Sequence, residues 1–433
     1  MERGAQLSGV SVARPIRLQR VVCRLALASF ALFLVAVGAH AQPIAPKTKE
    51  ALLKGMEKVI LEQAFVPGVD FSKWPEFQEK RRHEIDKAAD VAAFARNVNR
   101  VLREFGLSHF DLKTPRAAQA RRKPEAVGVG VFVRKVDEGL RVDAVASAGP
   151  AASSGVEVGD LIVEADGRAP ESVEVLEGAE GSRLAIKLKK PDGVVKEMAL
   201  ERRKFSTVRP ETLAWVDGEA VVLRIHSFDI GYDRANVEKL LGDAAGARYL
   251  VLDLRSNSGG WSINVRHLLS LLLPEGSVIG TNVSRTIAQR YAQATAGDAT
   301  DVVAVAKWSD SKVKTKKGGL EPFKGKVAVL IDRRTASASE IVAAALKETL
   351  QAPLVGSPSA GAVLTATYAS LPEGFELHYP VSDFVTASGV RLEGNPLQPD
   401  AEAPAPRRNE PDVAVARAIE RLRGPPPLPG PDH

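Results

Sequence analysis

The chain has 433 residues, 45% of them hydrophobic and 26% charged, with 59 Lys+Arg against 53 Asp+Glu. At about 100–200 residues per domain this is two to four domains, and the apolar content excludes wholesale disorder. One cysteine excludes a disulfide framework and a cysteine-only metal cluster, and an aromatic content of 5% argues against a base-stacking nucleic-acid surface.

The formal surplus of +6 is concentrated at the start. Residues 1–41 hold five arginines and one acid, Glu2. An uncharged run follows from Leu25 to Gly38, then Ala39-His40-Ala41. A basic segment, a short apolar run and a small-x-small site predict a secretory signal peptide cleaved after Ala41. The run is short for a membrane span, which needs about 20 apolar residues. Cleavage leaves 54 basic and 52 acidic residues, a net +2, and removes Cys23. An exported, periplasmic or secreted protein is expected, with no transmembrane segment in the mature chain.

Residues 42–123 read as a helical region. Ala93, Phe94, Val98, Val101, Leu102 and Phe105 recur at helical spacing, and Gly106 is a natural stop. Ser108 and His109 therefore follow a helix end, on a loop or short strand. The basic stretch Pro115–Pro124 reads as a linker.

Residues 124–204 read as a β-rich domain. Val127–Val133 is expected as one strand, and Leu140–Val145 alternates. Residues 205–405 alternate strand and helix. Ala220–Ile225, Tyr249–Leu254 and Lys326–Ile331 are continuous apolar runs, as in buried parallel strands. Ile263–Leu273 and about Ala336–Leu350 are expected helices, and Pro353–Gly356 and Phe375–Phe384 add strand. The fold class is α/β. Residues 406–433 read as a flexible, Pro-rich tail.

Two stretches carry candidate chemistry. Thr335-Ala336-Ser337-Ala338-Ser339-Glu340 follows a buried strand. A serine there is exposed at a sheet edge beside helix-start N–H groups, or is simply a helix cap. Asp253-Leu254-Arg255-Ser256-Asn257-Ser258-Gly259-Gly260 ends in paired glycines that let backbone approach a ligand. There is no HExxH motif and no phosphate loop, so no metal and no cofactor are expected.

Gly149-Pro150-Ala151, Val158-Gly159-Asp160-Leu161-Ile162 and Asp166-Gly167 resemble a PDZ domain. The matching carboxylate-binding loop is Gly128-Val129-Gly130-Val131, and the resemblance implies binding of peptide C termini. The "DLRSNSGG" and "TASASE" stretches behind such a domain resemble the C-terminal processing (tail-specific) serine peptidase family. That resemblance implies a crotonase-like ββα core with an inserted PDZ domain. It makes Ser337 the nucleophile, with Gly259, Gly260 and Ala338 supplying the oxyanion N–H groups.

One feature departs from the best-known members, which use a lysine base after the nucleophile. That position is Ala362, and Lys347 is the last lysine in the chain. The base must lie elsewhere, or the enzyme is inactive. Histidine is the usual alternative. His83 falls on a charged helix, His267 on an apolar helix, His226 and His378 on strands, and His433 at the terminus. His109 stands out because Ser108 precedes it. This pair resembles the tricorn-like and retinoid-binding-protein-like branch of the superfamily. That likeness implies His109 as base, Ser108 orienting it, and Glu393 completing the relay. The expected activity is cleavage of protein or peptide substrates presenting C-terminal segments. The alternatives are a noncatalytic peptide binder on a degenerate peptidase fold, and an esterase or apolar-ligand binder. Nucleic acid is not an expected partner.

Overall fold

The computed structural model describes residues 42–146, 148–405 and 411–424. The predicted signal peptide, its cleavage site and Cys23 lie outside the described residues. No helix among those described is long and apolar enough to cross a membrane.

The helices Pro46–Glu62, Trp74–Lys80, Arg82–Lys87 and Val91–Leu102 form the first layer. Asp90 starts the last of these, its carboxylate accepting the Ala93 N–H at 2.7 Å. Leu52, Met56, Trp74, Ile85 and Phe94 are fully buried there, packed with Leu377 and Tyr379 of a later strand. Gly106 is left-handed at φ 66° and ends the run, so the chain turns into Ser108 and His109. The stretch expected as a linker is instead a helix, Pro115–Arg122. Thr114 caps it and Pro115 opens it, and Ala, Arg and Gln sustain it. Its bounding prolines mark a helix start rather than an irregular segment.

Residues 125–206 hold two small sheets. A five-stranded antiparallel sheet runs Val131–Val136, Gly139–Val145, Leu161–Ala165, Arg183–Lys189, Val195–Glu201 in spatial order. It buries Leu140, Ile162, Leu184 and Leu188. The single strand expected at Val127–Val133 is two, because Gly130 adopts φ 79°. A Cβ there would sit 2.7 Å from Gly149 Cα. The first piece, Glu125–Gly128, pairs instead with Arg203–Ser206.

The remainder is mixed α/β. A six-stranded sheet runs Ala401–Glu402, Leu354–Gly356, Lys326–Ile331, Tyr249–Asp253, Ala220–Arg224, Thr212–Trp215, parallel except for the last pair. A second sheet pairs Glu376–Thr386 with Asp111–Lys113, Thr365–Ser370 and Val278–Ser284. Helices Ser262–Leu272 and Ala338–Leu350 share one core with both sheets, through Leu268, Val342, Val329 and Phe384.

The tail is not wholly irregular. Asp412 caps a helix, Val413–Arg423, and Ala414, Ala418, Ile419 and Leu422 bury against Val251, Ala328 and Leu330. Their four-residue spacing hides among prolines and charges in the sequence. Without this helix one face of the parallel sheet would be bare. Residues 406–410 and 425–433 lie outside the described set.

Candidate active site

Ser337 sits where the buried strand Lys326–Ile331 turns into the helix Ala338–Leu350. Its backbone is at φ 56°, ψ −121°, outside the regions that non-glycine residues normally occupy. The surroundings hold it there. Ser337 N–H donates to Ala362 O at 2.8 Å and to Glu340 Oε2 at 3.2 Å. Glu340 is fully buried, and also accepts from the N–H groups of Gly361 and Ala362 at 2.8 and 2.9 Å and from the Ser359 hydroxyl. Burial pushes its carboxyl above the usual range, and these donors pull it back.

The glycine turn presses on the same point. Gly259 is at φ 101°, and a Cβ on it would lie 2.8 Å from Ser337 Cβ. Asn257 shapes the turn, donating to Ile225 O at 3.0 Å and accepting Gly259 N–H at 2.9 Å. Asp253 and Arg255 anchor its base, with Arg255 bridging to Asp412 of the tail at 2.6 Å. Gly259→Ala adds a clash and a disfavoured φ at once. It is expected to lower unfolding free energy by about 2 kcal/mol or more, measured by urea denaturation.

Ser108, His109 and Glu393 come together. The Ser108 hydroxyl donates to Glu393 Oε2 at 2.8 Å and lies 2.7 Å from His109 Nδ1. Glu393 also accepts the Ser108 and Val363 N–H groups, both at 2.8 Å. A hydroxyl has one proton. With that proton donated in a hydrogen bond to Glu393, Ser108 Oγ accepts from His109 Nδ1–H, which leaves Nε2 with its lone pair. The His109 imidazole is pushed down to about 4, first by burial and then by the neighbouring charge of His378.

Ser108, His109, Gly259, Gly260, Ser337 and Ala338 line one cavity of about 680 Å³. Glu393 stands behind it, joined through Ser108. Gly128, Val129, Gly130 and Val131 do not line this cavity. They line a separate groove of about 390 Å³, with Val173, Leu176 and Phe205.

Among the described residues, the other histidines fall elsewhere, with one exception. His267 is held by Tyr232 and Glu238. His226 lies past the end of its strand, not on it. His378 does sit on a strand, but it faces the cavity, its ring 5.5 Å from that of His109. Asp111 holds His378 at 3.1 Å, and Tyr368 stacks on it at 4.4 Å. Nothing local in the sequence marks this pair. It follows from the register Asp111 to His378 to Tyr368. Glu340 had a signal in Ser337-x-x-Glu340, the spacing of a capping box.

The segment around Ser337 has known relatives. Its residues 219–403 match the model of peptidase family S41. This stretch is similar to the S41 peptidases. A probable CtpA-like serine protease of Staphylococcus haemolyticus is 24% identical over 65% of this chain and 53% of its own length. The carboxyl-terminal-processing peptidase 1 of Arabidopsis thaliana chloroplasts is 27% identical over 79% of this chain and 69% of its own. The chain thus spans about half the length of the staphylococcal relatives it matches. Among solved structures, an S41 protease from Bacteroides fragilis superposes with a TM-score of 0.50 at 16% identity, covering 70% of this chain and 83% of that one. That likeness concerns the fold alone.

Proposed function

We propose that the protein is an exported serine endopeptidase that cleaves unfolded or C-terminally exposed polypeptides. The observation that carries this reading is the chain of hydrogen bonds from Glu393 through Ser108 to His109, whose last two members line the same cavity as Ser337. Ser337 Oγ attacks the peptide carbonyl carbon while His109 Nε2 takes its proton. The carbonyl oxygen becomes an oxyanion facing the N–H groups of Gly260 and Ala338. Gly259 N–H is committed to Asn257, which narrows the expected donors to these two. The C–N bond breaks as His109 returns the proton to the leaving amine. Water, activated by the same imidazole, then hydrolyses the acyl-enzyme. The buried Glu393 and the half-buried Ser108 keep the Nδ1–H tautomer and orient the ring.

Residues 124–204 act in this reading as a PDZ domain inserted before a crotonase-like core at 205–405. Two features support it. The strand Val131–Val136 lies at the edge of its sheet, open to an added peptide strand. The groove beside it begins at Gly128–Val131, where N–H groups would hold a terminal carboxylate. Export rests on the basic and apolar pattern of residues 1–41 and cleavage after Ala41.

The reading has a pH signature. His109 must be neutral to act as base, and its proton affinity is depressed to about 4. Cleavage of a denatured protein is therefore expected to persist as pH falls below 6.5, with the acid limb near pH 4 in kcat/KM. Over the same window the unfolded chain takes up a proton that native His109 refuses, so stability falls with acid. A limb at 6.5 or above in kcat/KM would remove His109 from the role.

A further inference from the structure

Three cavities share walls in succession. The cleft of Ser337 shares Arg121, Ser227 and Asp229 with a cavity of about 350 Å³. That cavity shares Thr207 and Arg209 with the groove of Gly128–Val131. The middle cavity therefore adjoins both groove and cleft, and a chain running from one to the other would pass along it.

The passage is basic and short of anions. Arg121, Arg209, Arg224 and His226 line it, against one carboxylate, Asp229. Asp229 Oδ1 accepts the N–H of its own neighbour, Ile230. Glu376, which holds Arg121, also holds Arg122. Asp253, which holds Arg224 at 3.2 Å, also holds Arg255 at 2.8 Å. Each buried carboxylate behind the wall thus serves two guanidinium groups. Arg209 has no carboxylate within ion-pair reach among the described residues; its guanidinium lies 4.7 Å over the Phe132 ring. Arg224 Nε is buried with no acceptor. His226 reports the local potential: burial, then Arg224 and Arg209, push it down to about 4. It stays neutral at physiological pH. An exposed guanidinium without an ion-pair partner, beside a buried N–H without an acceptor, leaves room for an anion.

We propose that this passage binds an acidic side chain of the substrate polypeptide, its carboxylate held by Arg209 and Arg224. The site rests on reading the groove as peptide-binding and Ser337 as nucleophile. The substrate terminus would lie in the groove at Gly128–Val131, so the carboxylate reaching the passage belongs to a residue upstream of it. The enzyme would then favour substrates with Glu or Asp between the anchored end and the scissile bond.

The test uses the full chain carrying Ser337→Ala and fluorescent peptides with one apolar C-terminal tail. The upstream segment carries either glutamates or glutamines, and each peptide is made as the free acid and as the C-terminal amide. Fluorescence anisotropy is expected to show the glutamate peptide binding about tenfold tighter, the size of one charge-assisted contact. That ratio should fall towards one in Arg209→Gln, survive largely in Arg209→Lys, and decline as salt rises. Equal affinities in the Ser337→Ala parent overturn the proposal without any variant. A ratio unchanged by Arg209→Gln also overturns it. A gain that Arg209→Gln abolishes only between acid and amide assigns the arginine to the terminus and overturns it too. Failure of the unmutated enzyme to cleave either peptide, with the binding ratio intact, defeats the proposed proteolysis alone. No binding of any peptide defeats both.

Discussion

His109→Ala and Ser337→Ala should each abolish cleavage of a denatured protein, lowering kcat/KM by about 10⁴-fold or more, and the double variant should be no worse than either. The two side chains act in one proton transfer, so losing either loses the whole step. The residues that could compete as base are accounted for. Lys347, the last lysine, is ion-paired to Asp400 at 2.8 Å on the far part of its helix and does not line the cleft. Lys113 does line the cleft, but its Nζ is ion-paired to Asp111 at 2.7 Å. His378 shares Asp111 with it. His109 alone has a hydrogen bond that sets the Nδ1–H tautomer through Ser108. Steady-state rates on a denatured protein measure the loss. Activity retained in His109→Ala but lost in Lys113→Met would move the base to Lys113.

Glu340→Ala is expected to cost about 3–5 kcal/mol of folding free energy and to inactivate what remains folded. Two carboxylate oxygens satisfy four donors: Ser337 N–H, Gly361 N–H, Ala362 N–H and the Ser359 hydroxyl. Ser337 N–H keeps Ala362 O, but removing the acceptor strands the Gly361, Ala362 and Ser359 donors in a buried site, and each unsatisfied group is costly. The disfavoured φ of Ser337 persists because this network fixes it, so the nucleophile should relax as well. Urea unfolding gives the stability change. Glu340→Gln separates shape from charge, because its amide must turn N–H toward N–H. It should lose a large part of the same stability.

Much of the architecture was readable from local pattern. Continuous apolar runs gave the parallel strands around Lys326–Ile331, and the helical period of Phe94, Val98 and Leu102 gave the helix before Gly106. The candidate site was readable only through motifs, because its partners are distant: Ser108 and Glu393 lie 285 positions apart. His378 escaped for the same reason in stronger form. Its place beside His109 depends on strand Asp111–Lys113 pairing across 267 positions, and no local feature encodes that register. The helices Pro115–Arg122 and Val413–Arg423 were hidden by flanking prolines, which signal irregularity but here bound capped helices. The commitment of Gly259 N–H to Asn257 is a side-chain detail that glycine spacing cannot convey.

Whether His109 activates Ser337 is read most directly by covalent labelling with a fluorophosphonate. One adduct is expected, on Ser337, located by peptide mass spectrometry and absent in Ser337→Ala. His109→Ala should slow labelling by about 100-fold or more, the contribution of general-base catalysis. No adduct on Ser337, or a labelling rate unchanged by His109→Ala, would contradict it.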